Sequence, residues 1–396
     1  MATEVNISNL DYALKRMYST RKMSVLAFTN HPFLAKIKKN TKYSGSAYAI
    51  PVVDSDVQGA SHTYATAYNN LTGVGGAQFL VTVVQDYALA QISGKLIAST
   101  KSDAGRFVDA ITHVVDSAFR TAGRRLAAEL FGDGSGKIGT VSAYNAGPPK
   151  VVTLTSVNDV VKFSVNQTIE FYTGANLNTT ATITAVDYDA GQITITTTGT
   201  PAANDTIYNA GDYGAGLKGW LAWNPVAAPT SGDNFFGVDR SVNPAMRAGH
   251  RFSTAGGTIK AKMLDFGAKC NRVGCSIDTI FMNPIDFGTL TAELEDKTQY
   301  VDSGEDKQFG LRGLQMWLSS GAVSVYADMD VPGSRIFGCN LDSWELLSAG
   351  ESPTFLAFGS SGKVIDIATS DAVFLKVGGY HQLVCYDTSQ IATASL

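Results

Sequence analysis

KSDAGRFVDAITHVVDSAFRTAGRRLAAELF, Lys101 to Phe131, is the longest helically periodic run in the chain. Phe107, Ile111, Val114, Ala118, Ala122, Leu126 and Leu130 fall on one stripe. Arg106, Asp109, Asp116, Arg120, Arg124 and Glu129 lie largely elsewhere around the wheel. Ser102 or Asp103 can cap the start, and Gly132-Asp133-Gly134 supplies a stop. A helix over Ser102–Phe131 is about 45 Å long at about 1.5 Å per residue, so it needs support along its whole length.

Both flanks read as β-structure. Upstream, Tyr48, Ile50 and Val52 alternate within YSGSAYAIPVVDSDV (Tyr43–Val57), and Phe79 to Ile92 reads as a second strand that can turn helical near its end. Between them Gly59–Ala77 is small, polar and glycine-rich, a flexible tip. A two-stranded extension this long is marginal alone in water, so it predicts a partner surface. Downstream, VVTLTSV, KFSVNQTIEF, TATITAVDY and QITITTTG predict four or five strands of a small barrel or sandwich between Lys150 and Tyr208. Thr258–Cys270 reads as a helix, Asp278–Pro284 as a buried strand running into a helix at Pro284–Tyr300, and later strands are expected at Ala322–Ala327, Ser334–Cys339, Trp344–Leu347 and Val373–Tyr386. That mixture is α+β.

The N-terminal part differs in charge. Met1–Lys42 carries eight basic residues against two acidic ones, leaving 23 against 33 for the rest of a chain whose net charge is -4. Leu10, Leu14, Met17, Leu26, Phe28, Phe33 and Ile37 interleave with that charge, the pattern of an arm laid across a neighbour. Asn9–Met17 can form a short amphipathic helix, and His31-Pro32 breaks any helix before an extended link to Tyr43. The first residues lack the apolar core of a signal peptide, and no apolar run is long enough to span a bilayer, so synthesis in a cytosol is expected.

Catalytic and ligand motifs fail on spacing. GDGSGK (Gly132–Lys137) has Phe131 where a phosphate loop needs glycine and Ile138 where it needs Ser or Thr, so it reads as a helix stop. His31, His62, His113, His250 and His381 are scattered without metal-ligand spacing, and Gly359–Gly362 lacks the nucleophile-elbow pattern. Cys270, Cys275, Cys339 and Cys385 read as reduced, packed thiols. Asp187 and Asp189 read as a hairpin turn. No constellation supplies nucleophile, base and orienting group, so the expectation is no enzyme, no cofactor and no metal.

The order of basic arm, extended hairpin, long helix, inserted β module and α+β domain resembles the major capsid proteins of tailed bacteriophages with the Hong Kong 97-type fold. AQFLVTVVQDYALAQISGKLIAST, RRLAAELFGDGSGKIG, DNFFGVDRSVNPAMRAGHRF and DTIFMNPIDF are similar to stretches of that family. The resemblance implies an N-terminal arm at 1–42, an extended loop at 43–100, the spine helix and following turn of a peripheral domain at 101–147, and an inserted barrel-like module at 148–212. It then implies the return of the peripheral domain at 213–256, an axial domain at 257–370 and a C-terminal strand and tail at 371–396.

It also implies a shell of pentamers and hexamers in a virion, made in host cytoplasm and enclosing double-stranded DNA held weakly and without sequence preference. The partners would be other copies in the same and neighbouring capsomers, a separate scaffolding protein, a portal and a decoration protein; no membrane is involved. Only about forty residues precede the extended loop, so a large cleaved scaffold is not expected, and the lysine-free loop tip predicts no cross-link from it. Candidate inter-subunit contacts are Lys15, Arg16, Arg21 and Lys22 in the arm, Tyr64 and Tyr68 in the loop, and Arg120, Arg124 and Arg125 on the helix. The alternatives are an encapsulin-like compartment enclosing a cargo protein and, third, a β-rich secreted enzyme or glycan-binding protein.

Overall fold

A computed structural model describes residues 31–93, 104–294, 300–301, 313–356, 364–366 and 372–396. Lys15, Arg16, Arg21, Lys22 and the helix expected at Asn9–Met17 lie outside the described residues.

The long helix runs from Ala104 to Leu130, 27 residues, or about 40 Å. It stops where Gly132 N–H closes on Glu129 O at 2.8 Å. Gly136 follows at φ 79°, where a Cβ would meet Asp212 O at 2.4 Å, so only glycine fits where the turn passes the returning chain. The buried face is Val115, Ala118, Phe119, Ala122, Leu126, Ala127 and Leu130. Val114 is only partly buried, and Val115 and Phe119 widen the expected stripe by a position.

Behind the helix lies a six-stranded sheet organised on Ala372–Cys385. That strand pairs antiparallel with Val84–Ser93 over ten positions, from Ala372↔Ser93 to His381↔Val84. It also pairs with Trp344–Ser348, Thr354–Phe355 and Val364–Asp366. Ala88, Ala90, Ile92, Leu375 and Val377 pack against Val115, Phe119 and Ala122, and Phe119 stands edge-on to Phe355 at 5.0 Å. The small residues of the strand let a helix lie close, and each large apolar side chain so buried contributes about 1.5–3 kcal/mol.

The single strand expected over Phe79–Ile92 is two. Gly75–Val81 pairs back on Tyr48–Ser55 as a hairpin, and Val84–Ser93 joins the helix-backed sheet. The cause is parity: Phe79 and Val81 face inward, whereas farther on Asp86, Ala88, Ala90 and Ile92 do. A strand cannot change its buried face without a break, and Thr82–Val83 is that break. The tip of the hairpin, expected to be flexible, carries a short helix at Tyr64–Asn69.

The inserted module is a closed six-stranded barrel with Val141, Phe163, Ile169, Phe171, Ile183, Ile193, Ile195 and Ile207 in its core. Its first strand is Lys137–Asn145, ahead of the expected boundary at 148. Closure requires it: Thr206–Asn209 pairs with Thr168–Thr173 on one side and, through Thr206↔Thr140 and Ile207↔Gly139, with that strand on the other. Pro148-Pro149 therefore lies in a loop of the barrel, not in front of it.

A seven-stranded sheet runs in the order His250–Ser253, Ile391–Ser395, Arg335–Cys339, Thr279–Met282, Gly321–Ala327, Gly313–Leu318 and Tyr300–Val301. Helices Ile259–Arg272 and Pro284–Leu294 pack against it through Met263, Phe266, Cys270 and Leu290. Thr258 accepts Ala261 N–H, and Glu293 accepts the Ile259 and Lys260 N–H groups at 3.1 and 2.7 Å, so one helix caps the other. The block 257–370 is divided between sheets: Trp344–Ser348, Thr354–Phe355 and Val364–Asp366 belong to the helix-backed sheet, while His250–Ser253 and Ile391–Ser395 complete the seven-stranded one.

One further expectation is corrected. His31-Pro32 starts a helix, Pro32–Lys36, with proline in its first turn. Phe33 is fully buried, with ring centroids 5.1 Å from Phe131, 5.4 Å from Trp220 and 5.1 Å from Phe281. Lys38–Asn40 then adds a parallel strand to Trp344–Ser348. Phe33 and Ile37 therefore fill this chain's own core, because a benzyl group seated among aromatic rings gains more than one lying on a surface.

Candidate functional site

Two regions carry the functional geometry: the projecting hairpin and the junction where hairpin, long helix and barrel meet. The hairpin is rigid at its base. Ile50, Phe79 and Val81 are buried, and Phe79 stands edge-on to Trp223 at 5.2 Å. Arg247, nearly buried, clasps the Asp54 carboxylate through Nε at 2.6 Å and through Nη2, and Asn243 Nδ2 donates to Asp54 O at 2.5 Å. Arg247 also donates to Asp239 O at 2.7 Å. Beyond Asp54 the chain leaves the body. Tyr64 is 86 % exposed, Tyr68 67 % and Leu71 65 %, and the two tyrosine rings stack on each other at 6.4 Å. Val53, Val57 and Val74 are exposed as well. A rigid base with an apolar, solvent-facing outer part has the chemistry of a contact arm.

At the junction Arg125 Nη2 stands 3.2 Å from Asp86 on the hairpin-side strand, 2.9 Å from Asp212 on the chain returning from the barrel, and 3.8 Å from Glu129 one turn along its own helix. One nitrogen serves three carboxylates from three elements, while buried Arg125 Nε has no acceptor. Burial works against the guanidinium charge, but the carboxylates outweigh it and raise its pKa. Glu129 is pushed up to about 7, chiefly by burial and then by the charge of Asp86, although Arg125 and the Leu217 N–H pull it back. His381 is pushed down to about 4 by burial and hydrogen-bonds Ser352 Oγ at 2.8 Å.

The helix cations are unequal. Arg120 is exposed. Arg124 is also largely exposed, yet its Nη2 donates to Val161 O at 2.5 Å and its Nη1 to Ser164 Oγ at 3.3 Å, tying helix to barrel. Arg125 is held within its own chain by the carboxylates above. His113 is exposed on the helix. The four cysteines are buried and unpaired, and burial raises the pKa of Cys339 and Cys385, which makes them poor nucleophiles. Asp187 Oδ1 accepts the N–H groups of Asp189 and Ala190, both at 3.0 Å, in the expected hairpin turn. Among the described residues no helix is long and apolar enough to cross a membrane.

Sequence reasoning missed one cluster. His31, Asp328 and Asp330 are all buried together, with His31 Nδ1 2.6 Å from Asp330 Oδ2. Asp328 Oδ2 accepts Phe33 N–H at 3.1 Å, and Asp328 Oδ1 accepts Asp330 N–H at 3.1 Å. Burial pushes the Asp328 carboxyl up. The only sequence signal was Asp-Met-Asp directly after a strand, nearly three hundred residues from the histidine.

No protein-family model matches the chain, and no curated protein matches its sequence. Solved structures do match. A chain of the cyanophage A-1(L) capsid asymmetric unit is 13 % identical with a TM-score of 0.52, covering 95 % of this chain and 92 % of that one. The capsid of a native GTA particle is 10 % identical with a TM-score of 0.47, covering 96 % and 91 %. The SrpI encapsulin of Synechococcus elongatus is 11 % identical with a TM-score of 0.46, covering 92 % and 86 %. At such identities the first of these shows architecture: from hairpin to last strand, this chain has the α+β fold of a phage capsid protein.

Proposed function

We propose that this chain is the major capsid protein of a tailed double-stranded DNA bacteriophage, a structural subunit that assembles with copies of itself into the pentamers and hexamers of an icosahedral head. The observation that carries the reading is the near-complete overlap with the cyanophage capsid chain, 95 % of this chain and 92 % of that one. The projecting hairpin supports it, since Tyr64, Tyr68 and Leu71 are exposed on an arm whose root is fixed. In a closed shell each subunit repeats modest contacts with several neighbours, so their loss is cooperative.

On this reading the loop lies over a neighbouring subunit, and Arg120 and Arg124 face adjacent capsomers. The basic arm with Lys15, Arg16, Arg21 and Lys22 contacts acidic protein surface or phosphate. DNA contact is weak and sequence-independent, in keeping with a net charge of -4. A separate scaffolding protein and a portal are the partners this reading calls for, with a decoration protein as an optional one. The barrel packs within the capsomer.

Negative-stain imaging of the purified protein tests the proposal. Regular hollow particles are expected, and dispersed monomers would overturn it. Nucleic acid inside particles recovered from infected cells separates a virion from a compartment loaded with protein. Deletion of Met1–Asn30 is expected to impair assembly while leaving the subunit folded.

A further inference from the structure

We propose that His31, Asp328 and Asp330 form a binding site for a divalent transition-metal ion that pins the segment leading into Phe33 to the loop after strand Gly321–Ala327. One donor atom from each residue lies within 4.8 Å of the other two, and all three residues are buried. An ion bonded to nitrogen and oxygen ligands at about 2.1 Å needs those atoms roughly 3 Å apart, against a present spread of up to 4.8 Å. The His31–Asp330 hydrogen bond is the contact that opens to admit it.

Charge balance admits an ion. Two carboxylates and one imidazole sit in the core, and among the described residues neither carboxylate is ion-paired with a lysine or arginine. With a protonated His31 set against Asp330, the second carboxylate, Asp328, loses its charge either to a proton or to a bound cation. A divalent cation with neutral imidazole offsets both. One imidazole with two carboxylates selects zinc, manganese or cobalt over the all-oxygen preference of magnesium and calcium.

Two further features bear on the site. A cavity of about 360 Å³, lined by His31, Met329 and Asp330 and, farther out, by Arg124, Arg125, Lys137 and Lys162, reaches it. The cavity gives an access path and room for water on the coordination positions the protein leaves open. The backbone N–H groups of Phe33 and Asp330 also hold the two oxygens of Asp328, which fixes that carboxylate in orientation, as supporting hydrogen bonds do around bound metals.

The test uses the full-length protein in whatever assembly state it is purified, and so stands apart from the capsid proposal. Protein stripped with a chelator is equilibrated with Zn²⁺ or Mn²⁺, freed of unbound metal, and assayed for metal per chain and for thermal unfolding. The expected result is about one ion per chain with a raised unfolding midpoint, both lost in His31→Ala and in Asp330→Asn. His31→Gln, which keeps the volume, replaces the alanine variant if that fails to fold. Wild-type protein holding less than about a tenth of an ion per chain, or variants that take up metal equally well, would overturn the site.

Discussion

Arg125 on the long helix and Asp86 on the strand at the foot of the hairpin face each other across 3.2 Å, with Asp212 of the barrel return on the same guanidinium nitrogen. Three structural units therefore share one cation. Arg125→Met removes that cation and leaves Asp86, which is buried, without its counter-charge. The expected cost is about 3 kcal/mol, toward the low end for a broken buried pair because the guanidinium is part-exposed. Chemical denaturation measures it, and adding Asp86→Asn should restore part of the loss; an additive double variant would show that the two residues do not interact.

Glu129 sets a pH dependence at the same junction. Its folded pKa of about 7 lies above the ordinary carboxylate range. The folded state thus holds the proton more tightly than the unfolded chain, and stability falls as pH rises from the unfolded value toward 7. Above that pH the cost levels off at about 3 kcal/mol, the attraction to Arg125 being already contained in that pKa. Glu129→Gln keeps an acceptor for Leu217 N–H. It should melt higher than wild type at pH 8 and equal to it near pH 4, and a variant no more stable at pH 8 would contradict this sign.

Phe33 anchors the described start of the chain. Phe33→Ala leaves a void among Phe131, Trp220 and Phe281 and should cost about 3–5 kcal/mol. Phe33→Leu should recover much of that. Unfolding midpoints for the pair distinguish a core residue from one lying on a neighbour.

Tyr64→Ala and Tyr68→Ala should leave subunit stability within about 0.5 kcal/mol, since both rings face solvent. The same changes should reduce particle yield in size-exclusion chromatography. Arg124→Glu should likewise disturb assembly more than folding, although it breaks the bond to Val161 O. Equal loss of both would mark Arg124 as an internal strut between helix and barrel.

The long helix, the barrel strands and the strand-to-helix passage at Asp278–Pro284 were legible because their patterns are local. Period 3.6 in Ala104–Leu130 and period 2 in Gln192–Thr197 need no knowledge of the neighbours. Four things were not. The break at Thr82–Val83 follows from which face each half-strand buries. The first barrel strand was hidden because Lys137–Asn145 reads as a turn until Thr206–Asn209 needs a partner. His31 meets Asp328 and Asp330 only through the fold, as Arg125 meets Asp86 and Asp212. Exposed Tyr64 and Tyr68 were legible as a tip, but the helix that carries them was not.

The last two strands have a kinetic consequence. Ala372–Cys385 is the strand onto which four others of the helix-backed sheet pair, and Ile391–Ser395 sits between His250–Ser253 and Arg335–Cys339 in the seven-stranded sheet. Both sheets therefore wait for strands far along the chain, and their closing contacts span nearly three hundred positions, from Val84 to His381. The barrel, closed between Lys137 and Asn209, can finish while synthesis continues. Nascent chains thus hold a folded barrel beside two unsealed sheets, a state vulnerable to wrong pairing until Ala372–Cys385 and Ile391–Ser395 have emerged.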